Sequence, residues 1–201
     1  MFRRTAGILA LALLAACSAE NRTGQPETDT TATNAQSPQQ TSSEAATTTA
    51  TSGGTVSAMS PEDKAFVVKA GMGGLFEVQS GNLALQKASS PDVKAFAQRM
   101  VTDHGKSNAE LATLATTKGV VLPAELEGTH QSALEHLSAL SGAEFDKAYM
   151  QHMVEDHATA VADFDKASTS STDPELKAWA GKTLPTLQEH AAMAKELARK
   201  M

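Results

Sequence analysis

One local signal occurs three times and constrains the fold more than any other. Ser60-Pro61-Glu62-Asp63, Ser90-Pro91-Asp92 and Asp173-Pro174-Glu175 each set an oxygen-bearing residue before proline, with acid following. The first side chain can accept from the free N–H groups of a helix start, and proline's missing donor costs nothing at the first helical position. The carboxylates then face the positive end of the helix dipole. Ser141-Gly142-Ala143-Glu144 adds the spacing of a capping box. These starts predict long helices over 61–88, 91–118, 143–167 and 174–199, and a shorter one near 124–140 after the Gly119-to-Pro123 break. No stretch after Ser60 alternates like a strand.

Short links join the first pair of long helices and the last pair, so each pair is antiparallel. The 119–142 segment is long enough to cross a bundle. The expected fold is all-α, a ferritin-like antiparallel four-helix bundle whose one long crossover carries a short extra helix. An internal repeat relates two of the helices. Lys94-Ala95-Phe96 to Asp103-His104 matches Lys147-Ala148-Tyr149 to Asp156-His157, and Met-Val-x-Asp-His recurs intact.

The first sixty residues read differently. Arg3-Arg4, an apolar run from Ile8 and the small residues Ala15-Ala16 make a secretory signal peptide rather than a membrane span. Cys17, the single cysteine of the chain, directly follows and completes a lipobox, so the start resembles that of a bacterial lipoprotein acylated and cleaved at Cys17. Ser18 stands where inner-membrane retention would call for Asp, which points to the outer membrane, facing the periplasm. The residues after Arg3-Arg4 do not resemble a twin-arginine motif, so a metal would load after export. From Ser18 to Met59 the chain is Thr, Ser, Ala, Gln and Asn with almost no aliphatic residue. Such a segment buries too little apolar area to offset its ordering entropy. The expected organisation is a lipoprotein signal peptide over 1–16, a lipidated cysteine and disordered tether over 17–59, and a helical domain over 60–201.

Charge narrows the partners. The chain carries 17 Lys and Arg against 23 Asp and Glu, and losing Arg3 and Arg4 with the signal would make it more acidic still. That excludes nucleic acid and electrostatic adhesion to anionic lipid. Membrane contact is expected through the lipid on Cys17.

Ionisable residues interrupt the apolar stripes. The helix after Ser90 reads Val93, Ala97, Met100, His104, Ser107, Leu111. The helix after Ser141 reads Met150, Met153, His157, Val161, Phe164, and the last reads Leu176, Ala180, Thr183, Leu187, His190, Ala194. Each carries one histidine on the face that must turn inward. The first helix offers Phe66, Ala70, Gly73 and Glu77. Glu77, His104, His157 and His190 are therefore the expected metal ligands, in a donor set suited to iron, zinc or copper. Asp103, Asp156 and Glu189 directly precede the three histidines and are candidates to orient an imidazole on a neighbouring helix, or to act as ligands themselves. Helix heights argue against complete convergence. His157 lies ten residues before the expected helix end at Ala167 and His190 sixteen after Pro174, a mismatch of about 9 Å of rise. His152 matches His190 better in height but sits on the edge of its stripe. The alternative is that these histidines are core residues bonded to carbonyls or carboxylates. The methionines have the scattered spacing of core filling.

Phe145-Asp146-x-x-Tyr149, the two Met-Val-x-Asp-His runs and Leu184-Pro185-x-Leu187-x-x-His190 together resemble one family, the ferritin-like bacterial envelope domain known as domain of unknown function 4142. The likeness spans about residues 61–199. It implies a ferritin-like bundle on an exported, often membrane-tethered protein, and brings no established activity with it. True di-iron ferritins place Glu-x-x-His on two bundle helices. Here that spacing occurs only as Glu127-x-x-His130, on the crossover, which argues against ferroxidase chemistry. The expected function is non-catalytic transition-metal binding in the envelope, for metal handling or protection from oxidative stress. The alternative is a metal-free scaffold that binds another envelope protein. No nucleophile, phosphate loop or paired catalytic acids mark an enzyme.

Overall fold

The structure, a computed structural model, describes residues 59–201. The expected signal peptide, Cys17 and the tether as far as residue 58 lie outside the described residues. Five helices follow: α1 (Pro61–Lys87), α2 (Pro91–Lys118), α3 (Gly128–Ser138), α4 (Gly142–Ser170) and α5 (Pro174–Ala198). The three proline starts are capped as their sequences require. Ser60 accepts from the Asp63 N–H, Ser90 from the Val93 N–H, and Asp173 from both the Glu175 and Leu176 N–H groups.

Three expectations need correction. Ser141 makes no capping bond, because the chain enters α4 through Gly142 at φ 63°, not by the extended-to-helical step of a capping box. The short helix begins at Gly128 rather than 124, since Gly128 at φ 57° turns the chain just before the helix can start. And α4 runs on to Ser170, three residues past its expected end at Ala167. The α5 helix runs continuously through Pro185.

The long helices form the four-helix bundle. Each of α1 and α5 packs beside both α2 and α4, so α1 faces α5 across one diagonal and α2 faces α4 across the other. Two aspartates lock the ends and fix the directions. Asp63, in the first turn of α1, accepts from the N–H groups of Thr172 (3.2 Å) and Asp173 (3.3 Å) and from the Thr172 hydroxyl (2.8 Å). Asp146, early in α4, accepts from the N–H groups of Ser89 (3.1 Å) and Ser90 (2.9 Å) and from the Ser89 hydroxyl. The start of α1 thus meets the end of α4, and the start of α4 meets the end of α1. Every neighbouring pair is antiparallel, and the segment carrying α3 must travel the length of the bundle between α2 and α4. Lys118 Nζ, at the end of α2, pairs with Asp173 Oδ2 at 2.8 Å, at the same bundle end as Asp63.

The apolar stripes fill two clusters, one at each end. The first gathers Phe76, Phe96, Met100, Phe145, Tyr149 and Met153. The second gathers Met59, Val67, Leu111, Phe164, Leu176 and Trp179. Burying such side chains contributes about 1.5–3 kcal/mol each, which makes these clusters the main stabilising element. Where α1 passes close to α2, Gly81 faces the Ala97 carbonyl and Val101. A Cβ there would lie 3.2 Å from the oxygen and 2.9 Å from the methyl. Between the two clusters, and belonging to neither, lie Glu77, His104, His157 and His190.

Candidate metal centre

These four residues meet because each stands near the midpoint of its own helix, and in an antiparallel bundle midpoints share one height. The 9 Å stagger expected between His157 and His190 is not found. Their ring centroids are 5.4 Å apart. The three extra residues of α4 account for about half of the difference, about 4.5 Å of rise, because the turn to α5 begins later than expected.

Three imidazoles converge from three helices. One ring nitrogen from each of His104, His157 and His190 lies within 4.8 Å of the other two. The centroids of His104 stand 5.7 Å from His157 and 5.4 Å from His190. Hydrogen bonds decide which nitrogen is free. His157 Nδ1 lies 2.9 Å from the Met153 carbonyl oxygen, which can only accept, so Nδ1 carries the proton. The lone pair is then on Nε2, a buried atom with no partner. His190 Nε2 donates to Asp103 Oδ2 at 2.9 Å, leaving its lone pair on Nδ1, also buried and without a partner. His104 keeps some exposed surface as a residue, but its Nε2 is inaccessible and likewise has no partner.

Burial keeps all three rings neutral. It pushes His104 well below the usual imidazole range, with the charges of His157 and His190 adding to the effect. Burial and the neighbouring His190 hold His157 down at about 4. His190 is also lowered by burial, against the opposing pull of its bond to Asp103. Glu77 goes the other way. Burial, then the nearby Asp156 charge, raises its carboxyl well above the carboxylate range, which favours its neutral form. Glu77 Oε1 stands 3.6 Å from His157 Nδ1, on the nitrogen already committed to Met153, and its Oε2 has no partner. The trio of close ring nitrogens does not include it.

The residues flanking the histidines separate into different surroundings. Asp103 holds His190 and is itself approached by Arg99 Nε at 3.4 Å. Glu189 is exposed and pairs with Arg99 at 3.2 Å. Asp156 stands beside His152 and His130, at 3.7 and 3.9 Å, and lines the same cavity as His104 and His157. A cavity of about 250 Å³ opens on the centre, walled by Phe66, Gly73, Glu77, His104, His157 and Trp179 among others. Gly73 has no atom within 4 Å of where a Cβ would stand, so its missing side chain contributes space rather than a close helix contact. Sequence reasoning assigned neither His130 nor the two locking aspartates a part in the site or its frame. His130 sits in a segment without a strong stripe, and Asp63 and Asp146 look like ordinary acids of a first turn.

What the centre can do chemically follows from the lone pairs of His157 Nε2 and His190 Nδ1 and from the unpartnered Nε2 of His104. Each buried atom left without a partner costs about 1–3 kcal/mol, and no polar hydrogen lies in reach to offset that cost. A Lewis acid placed among them would satisfy all three at once.

The family described as "Domain of unknown function (DUF4142)" matches residues 48–197. No curated protein matches the sequence. Among solved structures the chain is similar to a DUF305 fragment from Deinococcus radiodurans, with a TM-score of 0.63 and 13% identity, covering 71% of this chain and 99% of that one. It is also similar to CopM in the Cu(I)-bound form (TM-score 0.58, 18% identity) and the Cu(II)-bound form (0.59, 19%). Each of the two covers 69% of this chain and 96% of the other. At these identities the likeness is one of fold.

Proposed function

We propose that this chain, which belongs to the DUF4142 family, binds copper as Cu(I) through His104, His157 and His190 and handles the metal without catalysis. The observation that carries the reading is three imidazoles from three helices, each with one ring nitrogen within 4.8 Å of the other two and each with a buried ring nitrogen free of any hydrogen bond. Imidazole suits copper, zinc, iron and nickel alike, so charge must discriminate. All three donors are neutral, and burying a doubly charged ion among them costs far more than burying a singly charged one. Copper is the member of that group with an accessible single charge. Asp103, bonded to His190, supplies one compensating negative charge just outside the donors. Fold likeness to CopM, solved with Cu(I) and Cu(II), supports the same choice. Zinc and iron, which the sequence left equal to copper, fit the neutral centre less well.

The setting is the cell envelope. Cys17 carries the lipid, and the tether holds the bundle off the outer membrane on its periplasmic side. Among the described residues no helix is long and apolar enough to cross a membrane, so the bundle itself offers no helical anchor.

The test is anaerobic Cu(I) binding against a chromogenic chelator, on wild type and on a His104→Ala/His157→Ala variant checked for helicity by circular dichroism. Wild type should take one Cu(I) tightly and the helical variant should lose it. A wild type that leaves all Cu(I) with the chelator, or a variant that competes equally well, overturns the reading. In the first case the envelope scaffold, with its histidines as core residues, becomes the working description.

A further inference from the structure

We propose that His130, His152 and Asp156 form a second cation site, on the wall of the cavity that opens on the inner centre but with donors of its own, one that takes a divalent ion of the zinc class. Asp156 Oδ2 lies 3.7 Å from His152 Nε2 and 3.9 Å from His130 Nε2. Both separations exceed hydrogen-bond length, yet both nitrogens approach the same oxygen. A direct bond between an imidazole and this carboxylate would have closed one of the gaps. Instead His152 Nε2 is a buried atom with no hydrogen-bond partner. Donors around one tetrahedral zinc stand about 3.3 Å apart, so small rotations bring each imidazole to that spacing from Asp156. The His130 and His152 nitrogens, farther from each other than those of the inner trio, must also swing together to complete the shell.

The site is built by two helices. His152 and Asp156 are one turn apart on α4, at the spacing that projects two side chains from one face. His130 comes from the first turn of α3. The Phe76 ring on α1 backs both imidazoles, with centroids 5.2 Å from His130 and 4.7 Å from His152. This gives α3 a purpose that its weak sequence signal concealed, since it carries a third donor across to a pair already set on α4.

The chemistry differs from that of the inner centre in charge and in access. Two imidazoles and a carboxylate carry one negative charge together, which suits a doubly charged ion and leaves a fourth position for water. The three side chains are 23%, 29% and 28% exposed, against 1% and 0% for His157 and His190, so the ion would exchange directly with solution. Asp156 and His157 are adjacent in sequence, and the turn of about 100° between them sends one to each site.

The site uses none of the inner imidazoles, so it can be tested apart from the copper reading. Zn²⁺ is titrated calorimetrically into the whole chain, stripped of metal, as wild type, as Asp156→Asn and as the His136→Ala control, which alters an exposed histidine of α3. The bound Zn²⁺ count should fall by one in Asp156→Asn, or that affinity should weaken by about 100-fold or more, with no change in the control. A count and affinity unchanged by Asp156→Asn overturn the proposal. In a His104→Ala/His190→Ala background that remains helical, one Zn²⁺ should persist and should vanish on adding His130→Ala. Its absence from that background, or its survival of the added change, overturns the proposal equally. Loss of Cu(I) binding without loss of this Zn²⁺ would strike the inner centre alone.

Discussion

The hairpin α1–α2 and the hairpin α4–α5 are built on one plan and differ at its centre. Each leads with a helix whose early aspartate, Asp63 or Asp146, caps the turn of the other hairpin. Each brings two ionisable groups to mid-height. From α4–α5 these are two imidazoles, His157 and His190. From α1–α2 they are one imidazole, His104, and one carboxylic acid, Glu77. The acid does not complete a set of four. It lies against the protonated side of His157, and burial disfavours its charged form. The inner centre therefore has three donors and one side facing the cavity, and the break in symmetry is what leaves that side open.

The largest test of this difference is a pair of substitutions at matching heights. His157→Ala should abolish Cu(I) binding, a loss of about 100-fold or more, whereas Glu77→Gln should keep one Cu(I) per chain. Chelator competition checks both, and equal losses would mean that the two hairpins contribute donors alike.

The shared plan is tested by removing its locks. Asp63→Ala and Asp146→Ala each strand N–H groups in the opposite hairpin's turn and should each cost about 2–3 kcal/mol in urea unfolding. A cost at only one end would show that the two hairpins are not equivalent halves. Burial opposes the charge of Asp63, but its hydrogen bonds with Thr172 prevail and hold it below the usual carboxylate range. Its contribution is therefore present above the unfolded-state value and is lost as pH falls through its own depressed one.

The smallest effect is a pH dependence in which acid and bases oppose each other. The three histidines are depressed, so below about pH 6.5 the unfolded chain takes up protons that the folded one refuses. Stability falls on acidification from there towards about 4, the value of His157. Glu77 is raised, so above about pH 4.5 the unfolded chain loses a proton that the folded one keeps. That contribution falls as pH rises, by about 1.4 kcal/mol per unit until Glu77 itself ionises. With three bases against one acid, melting temperatures of the metal-stripped protein should peak near pH 6.5. Glu77→Gln should flatten the alkaline side alone; an unchanged alkaline side would show Glu77 ionised in the fold.

The helices were legible because their signals are local. A cap, a proline and an acid act within one turn, and a stripe of period 3.6 says which face turns inward whatever it meets. Three of the four expected long-helix starts, at Ser60, Ser90 and Asp173, carry the caps their residues announce. Ser141 does not, because a glycine in the left-handed region overrides a spacing rule that assumes an ordinary entry into the helix. The stripes likewise marked Glu77, His104, His157 and His190 as inward residues, since an ionisable group mid-stripe shows in the residues themselves.

Which of these groups meet was not legible. Three residues at the end of α4 remove about half of the stagger expected between His157 and His190, and that end depends on how the following turn docks on Asp63, more than a hundred positions away in the chain. Which nitrogen of each ring is free depends on whether a carbonyl of its own helix or a carboxylate of another lies in reach. That His130 approaches Asp156 depends on where a crossover settles after spanning the whole bundle. The sequence by itself determined the helices, their inward faces and the residue types that line the axis, because those follow from interactions along a single turn. Register between helices, the pairing of each polar atom and the division of six histidines into an inner trio, an outer pair and a solvated remainder were decided only by the tertiary structure. They depend on distances between chain segments that no local rule contains.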